Sequence, residues 1–245
     1  MGRGIEEAPL SWGIHKIMSS GSISEAAGGF GVLRQFARRQ RAVERCELCS
    51  VDLRRDHPHL IELAQRKLLC ACDACALLFS GPASKYKRIP RRILALPHFH
   101  LTDVEWNGLM VPINMAFFFT NSLERRVIAM YPSPAGATES LLALESWNEI
   151  VSRNPALNRM EQDVEALLVN RLGYSRGYSA PEYYLLPIDE CYKLVGLIRV
   201  HWKGLSGGTE VWQQIAEFFK NVKERAVAIA DTSQVHAASE DESHA

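Results

Sequence analysis

Cys46-Glu-Leu-Cys49 and Cys70-Ala-Cys-Asp-Ala-Cys75 contain five of the six cysteines of the chain within thirty residues. Both segments include a Cys-x-x-Cys pair, and a turn with this spacing directs its two sulfur atoms toward one point. Two such turns supply four soft thiolate ligands, the number that a tetrahedral metal ion requires. We therefore predict a tetrathiolate metal site at Cys46, Cys49, Cys72 and Cys75.

The choice of ligands and the choice of metal both stay open in the sequence. Cys70 is an alternative ligand in place of Cys72, and His57 and His59 are secondary candidates. A closed four-cysteine site is most often a structural zinc site that supplies folding energy. Iron, as a rubredoxin-like centre or an iron–sulfur cluster, uses the same ligands and is the functional alternative.

The segment between the two cysteine pairs is predicted to be a hairpin. Residues 59–63 and 67–71 have strand character around the turn at 64–66, and residues 72–79 can open a short helix. A thiol pair on a turn, a hairpin and a thiol pair at a helix start resemble the treble-clef arrangement of zinc fingers. This resemblance rests on order and spacing alone.

Charge is unevenly distributed along the 245 residues, although the formal net charge is zero. Residues 30–92 have an excess of eight basic side chains, whereas the rest of the chain is mildly acidic. This asymmetry indicates either a charged partner for the basic part or self-complementary packing between the two parts. The candidate partner-binding residues are Arg38, Arg39, Lys87, Arg88, Arg91 and Arg92.

Composition divides the chain into four predicted regions. They are a flexible leader at 1–29, a basic four-cysteine module at 30–92 that opens with a helix at 31–44, a mixed α/β domain at 93–230, and an acidic disordered tail at 231–245. The longest apolar stretch, residues 113–119, is far too short to span a bilayer, and no secretory h-region opens the sequence. We expect a cytoplasmic protein without a membrane partner.

The predicted strands of the body are short apolar runs. Residues 113–120 and 126–131 are expected to form a hairpin before a loop at 132–136, and residues 183–188 and 194–200 to flank a turn at 189–191.

The predicted helices of the body follow apolar spacing. One begins at Thr138 and ends at Asn154-Pro155, and residues 158–172, with Asn158 and Glu161 as a capping pair, form a second unless 166–169 is a buried strand. The clearest helix is amphipathic and covers 209–229. The predicted fold class is α+β, with a treble-clef-like four-cysteine finger followed by a mixed α/β body and a long C-terminal amphipathic helix.

Two further features have a structural and a functional interpretation. The loop Ser206-Gly207-Gly208 before a helix can present amide groups to an anion, but a tight turn that needs positive φ is the stronger interpretation. Cys191 can serve as a nucleophile or a redox thiol, but a lone cysteine between apolar runs is more often a core residue.

Several longer phrases together resemble an uncharacterised bacterial family encoded beside nickel–iron uptake hydrogenases. They are Cys46-Glu-Leu-Cys49, Leu68-Leu-Cys-Ala-Cys-Asp-Ala-Cys-Ala-Leu-Leu-Phe79, Tyr131-Pro-Ser-Pro-Ala-Gly-Ala-Thr-Glu139, Asp163-Val-Glu-Ala-Leu-Leu-Val-Asn-Arg171, Pro187-Ile-Asp-Glu-Cys-Tyr-Lys-Leu-Val-Gly-Leu-Ile-Arg199 and Trp202-Lys-Gly-Leu-Ser-Gly-Gly208. The resemblance covers about residues 40–228. It implies a cytoplasmic accessory to hydrogenase maturation, assembly or electron transfer, and it brings no catalytic residue with it.

Three functional expectations follow. The first is a non-enzymatic accessory protein with a structural zinc, which contacts a hydrogenase subunit or maturation factor. The second is an electron-transfer protein with iron at the same cysteines. The third and weakest is a nucleic-acid-binding zinc finger, because the module lacks an aromatic stacking set and a clear recognition helix.

Overall fold

The computed structural model describes residues 43–140, 144–174, 177 and 179–229. The predicted leader at 1–29, the acidic tail at 231–245 and nearly all of the predicted basic helix at 31–44 lie outside these residues. Arg38 and Arg39, two of the candidate partner-binding residues, also lie outside them.

Ten strands and five α-helices make up the described part of the chain. The strands are β1 His59–Glu62, β2 Lys67–Cys70, β3 Tyr86–Arg88, β4 Leu94–Ala95, β5 Met115–Asn121, β6 Arg126–Ser133, β7 Gly136–Ser140, β8 Glu165–Asn170, β9 Glu182–Pro187 and β10 Val227–Ala228. The helices are α1 Asp73–Leu78, α2 Asp103–Gly108, α3 Leu144–Arg153, α4 Ile188–His201 and α5 Gly208–Arg225, and a short 3₁₀ helix covers Pro155–Arg159. No described helix is both long enough and apolar enough to traverse a lipid bilayer.

A small antiparallel sheet of order β2-β1-β3 forms the cysteine module. Side chains of a strand alternate between its two faces. Leu60 and Leu69 therefore lie on one face, where they pack with Cys46 and Cys75, while Ile61 lies on the other and joins the core of the body. The hairpin predicted from the sequence is confirmed. One of its faces packs into the small core of the cysteine module, and the other packs into the core of the body.

A seven-stranded sheet of order β10-β4-β9-β8-β5-β6-β7 forms the body. Only the β10–β4 pair is parallel. The interior strand β5 is buried on both faces: Phe117 and Phe119 pack toward α4 and α5, and Phe118 packs toward Trp106 of α2 and the Trp147 ring of α3. The result is a sheet with helices against both of its faces.

The cysteine module and the body share apolar core. Ile61 and Ile89 lie in the same buried cluster as Phe117, Leu186 and Phe218. The boundary predicted at residue 92 stays a prediction, but the residues on its two sides pack against one another.

One predicted strand of the body is a helix. Residues 188–201, expected to be a turn followed by a strand at 194–200, form the continuous helix α4. Its buried residues recur at the spacing of a helix, and acidic residues stand in its first turn, where they favour the helix dipole. They are Ile188, Cys191, Leu194, Val195 and Ile198.

The predicted helix at 138 is also wrong at its start. Residues 136–140 form β7, which pairs with β6, and β6 itself continues to Ser133 through part of the expected loop. Helix α3 begins only at Leu144. Pairing with the edge of an existing sheet outweighed the capping potential of Thr138.

The helix predicted at 158–172 is wrong, and its strand alternative is correct. Residues 165–170 form β8 between β5 and β9, so Asn158 and Glu161 cap no helix there. A strand buried on both faces has a continuous apolar run, which is indistinguishable from a buried helix by periodicity. The helix expected at 209–229 covers Gly208–Arg225, and the residues after it form β10 beside β4.

Candidate metal centre

The first cysteine pair is held by a tight turn that is tied to the hairpin. The amide of Ser50 donates to the carbonyl of Cys46 at 2.8 Å, and the amide of Cys46 donates to the carbonyl of Val51 at 2.9 Å. The amide of Glu47 donates to the carbonyl of Cys70 at 2.9 Å, which fixes the turn against the end of β2.

The second cysteine pair stands at the start of a helix. Cys72 is the N-cap residue of α1, and its Sγ accepts a hydrogen bond from the amide of Cys75 at 3.4 Å. Helix N-termini stabilise negative charge, so the position suits a thiolate.

The structure brings Cys46, Cys49, Cys72 and Cys75 together, with their Sγ atoms within 4.8 Å of one another. The Sγ atoms of Cys49 and Cys72 are 3.7 Å apart. A tetrahedral ion with metal–sulfur bonds of about 2.3 Å separates its ligands by about 3.8 Å, so the pair stands close to the required spacing. All six cysteines are free thiols. The four residues could therefore hold a metal ion without a large rearrangement.

The environment of the four sulfur atoms is uneven. Burial acts to raise the pKa of Cys46, but backbone hydrogen bonds from Cys72, Leu48 and Cys49 together outweigh it and lower the pKa to about 6. Burial, followed by hydrogen bonding to the neighbouring thiols, raises the pKa of Cys75 to about 12. These shifts favour a thiolate at Cys46, whereas Cys75 needs a nearby positive ion to reach the charged state.

Cys70, the alternative ligand, does not belong to this cluster. Its neighbour Leu69 faces the core that contains Cys46 and Cys75, so the alternation of β2 turns Cys70 to the opposite face. There Cys70 lies beside His57 and His59. Burial and the negative charges of Glu44 and Glu47 raise the pKa of the Cys70 thiol.

Two of the four described basic candidates form ion pairs with acidic residues of the body. Lys87 Nζ lies 2.6 Å from Oδ2 of the buried Asp163. The Arg92 guanidinium contacts both carboxylate oxygens of Glu165, at 2.6 and 2.7 Å. These pairs are the self-complementary packing that the charge asymmetry left open.

The other two described candidates, Arg88 and Arg91, differ in whether they bond within the chain. Arg91 donates to the backbone carbonyl of Asp56. Arg88 is exposed and forms no ion pair with any described residue. The sequence did not predict Asp163 and Glu165 as the partners of Lys87 and Arg92. Two carboxylates directly before the apolar run at 166–169 could have indicated them.

The loop Ser206-Gly207-Gly208 is a tight turn. Gly207 and Gly208 have φ values of 86° and 73°, and a Cβ at Gly207 would lie 2.9 Å from Cγ1 of Val211. The carbonyl of Ser206 accepts a hydrogen bond from the indole of Trp212 at 3.2 Å. Glycine is required here by backbone conformation and by close packing.

Cys191 is a core residue in this structure. Its side chain is fully buried on α4, and burial followed by the charges of Asp189 and Glu190 raises its pKa well above the usual value. A thiol in this state is a poor nucleophile.

The fold and the site define a class of protein: an α+β protein in which a four-cysteine finger packs on a seven-stranded sheet. Residues 45–226, more than half of the chain, match the model of a family described as a family of unknown function, DUF5947, and the chain belongs to that family. No curated protein and no solved structure matches the chain.

Proposed function

We propose that Cys46, Cys49, Cys72 and Cys75 hold one zinc ion whose role is structural. The observation that carries this proposal is that the four Sγ atoms lie within 4.8 Å of one another, and that Cys46 and Cys75 belong to a small buried core. Its buried large apolar residues are Leu60 and Leu69, beside alanines and cysteines, and Leu48, Leu53 and Tyr86 are partly buried against them. A core this small gains stability from a bound metal ion.

Iron at the same cysteines is the competing proposal. Four thiolates also suit a rubredoxin-like iron or an iron–sulfur cluster. Cys49 is exposed, so electrons would have a short path from solvent to the centre. With iron, the protein would be an electron carrier.

The helix that follows Cys72 also presents a surface suited to protein binding. Cys72 is the N-cap of helix α1, and the other end of this helix exposes Leu77, Leu78 and Phe79, of which Leu78 is 77% exposed. Adjacent exposed apolar side chains are characteristic of interaction surfaces. We propose that this apolar patch, Leu77–Phe79, contacts a protein partner.

The identity of that partner is proposed from the sequence resemblance. The phrases quoted above resemble a family encoded beside nickel–iron uptake hydrogenases, and we propose a hydrogenase subunit or maturation factor as the partner. The protein would then be a cytoplasmic, non-enzymatic accessory whose finger presents a docking surface.

The metal is tested by elemental analysis and visible spectroscopy of the full chain purified without oxygen. The zinc proposal predicts at least one tightly held zinc per chain, no visible absorbance, and loss of that zinc in Cys75→Ser. A thiolate-to-iron charge-transfer spectrum that disappears in Cys75→Ser would replace it with the electron-transfer proposal.

The docking surface is tested by co-purification with hydrogenase subunits from a host that expresses both. Leu78→Glu is expected to reduce the recovered subunit at least tenfold with no loss of zinc. The matched control is Leu205→Glu, because Leu205 is fully exposed but lies on the turn before α5. Equal recovery with both variants would contradict a contact at this patch.

A further inference from the structure

A second group of metal-ligating side chains lies on the other face of the hairpin. His59 and Cys70 are directly opposite each other in the β1–β2 register. His57 precedes His59 by two residues, the spacing that returns a side chain to the same face of an extended chain. One ring nitrogen of each histidine and Cys70 Sγ all lie within 4.8 Å of one another.

His57 has a nitrogen free to bind a metal ion. Its Nδ1 is 2.8 Å from the backbone carbonyl of Arg54. A carbonyl only accepts, so Nδ1–H is the donor, and Nε2 is the nitrogen left to bind a metal ion. Nε2 is buried without a hydrogen-bond partner among the described residues, and the side chain is only 6% exposed. A buried polar atom without a partner is rare, and an ion or a water molecule is one of the groups that can satisfy it.

His59 is oriented by a carboxylate. Its Nδ1 lies 2.6 Å from Oδ2 of Asp189, in the first turn of α4. The other oxygen of Asp189 accepts a hydrogen bond from the amide of Glu190 at 3.0 Å, which holds the carboxylate in place. A histidine that donates from one nitrogen to a carboxylate and binds a metal ion with the other is a recurrent arrangement in metalloproteins.

We propose that His57 Nε2, His59 Nε2 and Cys70 Sγ form a second metal site, for a divalent transition-metal ion of the zinc type. Two imidazoles and one thiolate match the donor preference of such ions. Bond lengths of 2.0–2.3 Å would draw the ligand atoms to roughly 3.3–3.7 Å from one another, a movement of about 1 Å that side-chain torsions supply.

The second site is open, unlike the tetrathiolate centre. Three protein ligands leave a fourth tetrahedral position, and the three residues line an open cleft of about 680 Å³ between the hairpin and α4. Tyr192, Pro187 and Glu190 also line this cleft. A water molecule or a small external ligand can occupy the fourth position, as in catalytic and exchangeable metal sites.

The test uses the full chain carrying zinc at the tetrathiolate centre and titrates it with Co²⁺. A second ion is expected to produce visible d–d bands together with absorbance from one thiolate-to-cobalt bond. Cys70→Ser should remove the thiolate band. Asp189→Asn should weaken the apparent affinity for the second ion about 10–100-fold, because it disturbs the orientation of His59. The matched control, His98→Ala, removes an exposed histidine outside the site and should change nothing.

A second measurement uses the unmodified protein and does not depend on the folding of a variant. Alkylation of Cys70, followed by mass spectrometry, should be at least tenfold slower with excess Zn²⁺ than with one zinc per chain. The proposal is overturned if Cys70 reacts at the same rate in both samples. It is also overturned if the cobalt spectrum is retained in Cys70→Ser, since cobalt would then be replacing zinc at the tetrathiolate centre.

Discussion

Replacing Arg92 with methionine should destabilise the protein by removing the partner of a buried carboxylate. Glu165 begins β8, and its side chain is only 1% exposed. It accepts two hydrogen bonds from the Arg92 guanidinium and one from the amide of Glu161 at 2.9 Å. Without Arg92, the buried carboxylate keeps only the amide.

The magnitude follows from the burial of each partner. Breaking a buried ion pair by removing one side costs about 3–5 kcal/mol. Arg92 is 45% exposed, so solvent already screens part of the interaction, and the lower end of that range applies. We expect the free energy of unfolding to fall by about 3 kcal/mol. With a urea m value of about 2–3 kcal/mol/M, the midpoint falls by about 1 M.

Urea unfolding of the metal-loaded protein, followed by circular dichroism, measures this change. Arg92→Lys should be intermediate, because lysine keeps the charge but loses the two-point contact. Arg88→Met is the matched control in the same basic segment and should change stability by less than about 0.5 kcal/mol. A double variant, Arg92→Met with Glu165→Met, should be more stable than Arg92→Met alone.

The reasoning is refuted if Arg92→Met and Arg88→Met have the same midpoint. Arg92 would then be free to serve a partner, as the sequence first indicated. A loss of about 3 kcal/mol instead assigns the residue to the junction between finger and body.

Three further outcomes are expected. Glu105→Gln should lower stability by about 1–2 kcal/mol near neutral pH, because hydrogen bonds from the amide and then the hydroxyl of Thr102 lower the pKa of Glu105 against the opposing effect of burial. The stability that the carboxylate contributes is full above its unfolded-state pKa of about 4.3 and is lost as pH falls through the lower folded-state pKa. The unfolding curves of the two proteins should therefore converge in acid. Gly207→Ala should destabilise by more than about 1 kcal/mol, whereas Gly196→Ala, at a helical position with no heavy atom near the added methyl group, should stabilise by about 0.5–1 kcal/mol; equal thermal midpoints for the two variants would contradict the argument. Cys75→Ser should make the backbone amides of residues 44–80 exchange hydrogen faster, while the amides of β5 and β8 stay protected. Unchanged protection of residues 44–80 after loss of the metal would contradict a structural role for that metal.

The two metal-ligand groups lie on opposite faces of one hairpin. The tetrathiolate group closes the small core of the finger, whereas the His57, His59 and Cys70 group faces a cleft beside α4. On the two-site proposal, removing the ion from the first group should therefore disturb the second group, because both depend on the same two strands. Loss of the second ion should leave the first group in place.

The sequence alone determined the local features whose chemistry depends on spacing. Two Cys-x-x-Cys pairs identified four residues that the fold does bring together. Two short runs of strand character around a turn identified the hairpin between them, and the bounds of β1 and β2 agree with the prediction to within one residue. Such features are readable because a turn or a hairpin is formed by neighbours in the chain.

Tertiary structure decided the features that depend on what an apolar segment packs against. Residues 165–170 are a strand because β5 and β9 flank them, and residues 194–200 are helical because only one side meets the sheet. The same dependence separates Cys70 from Cys72. Strand alternation turns Cys70 away from the four-cysteine cluster, and its partner His59 is oriented by Asp189 from a helix 130 residues away. Contacts across such separations form only when the whole sheet is assembled, so no local pattern in the sequence contains them.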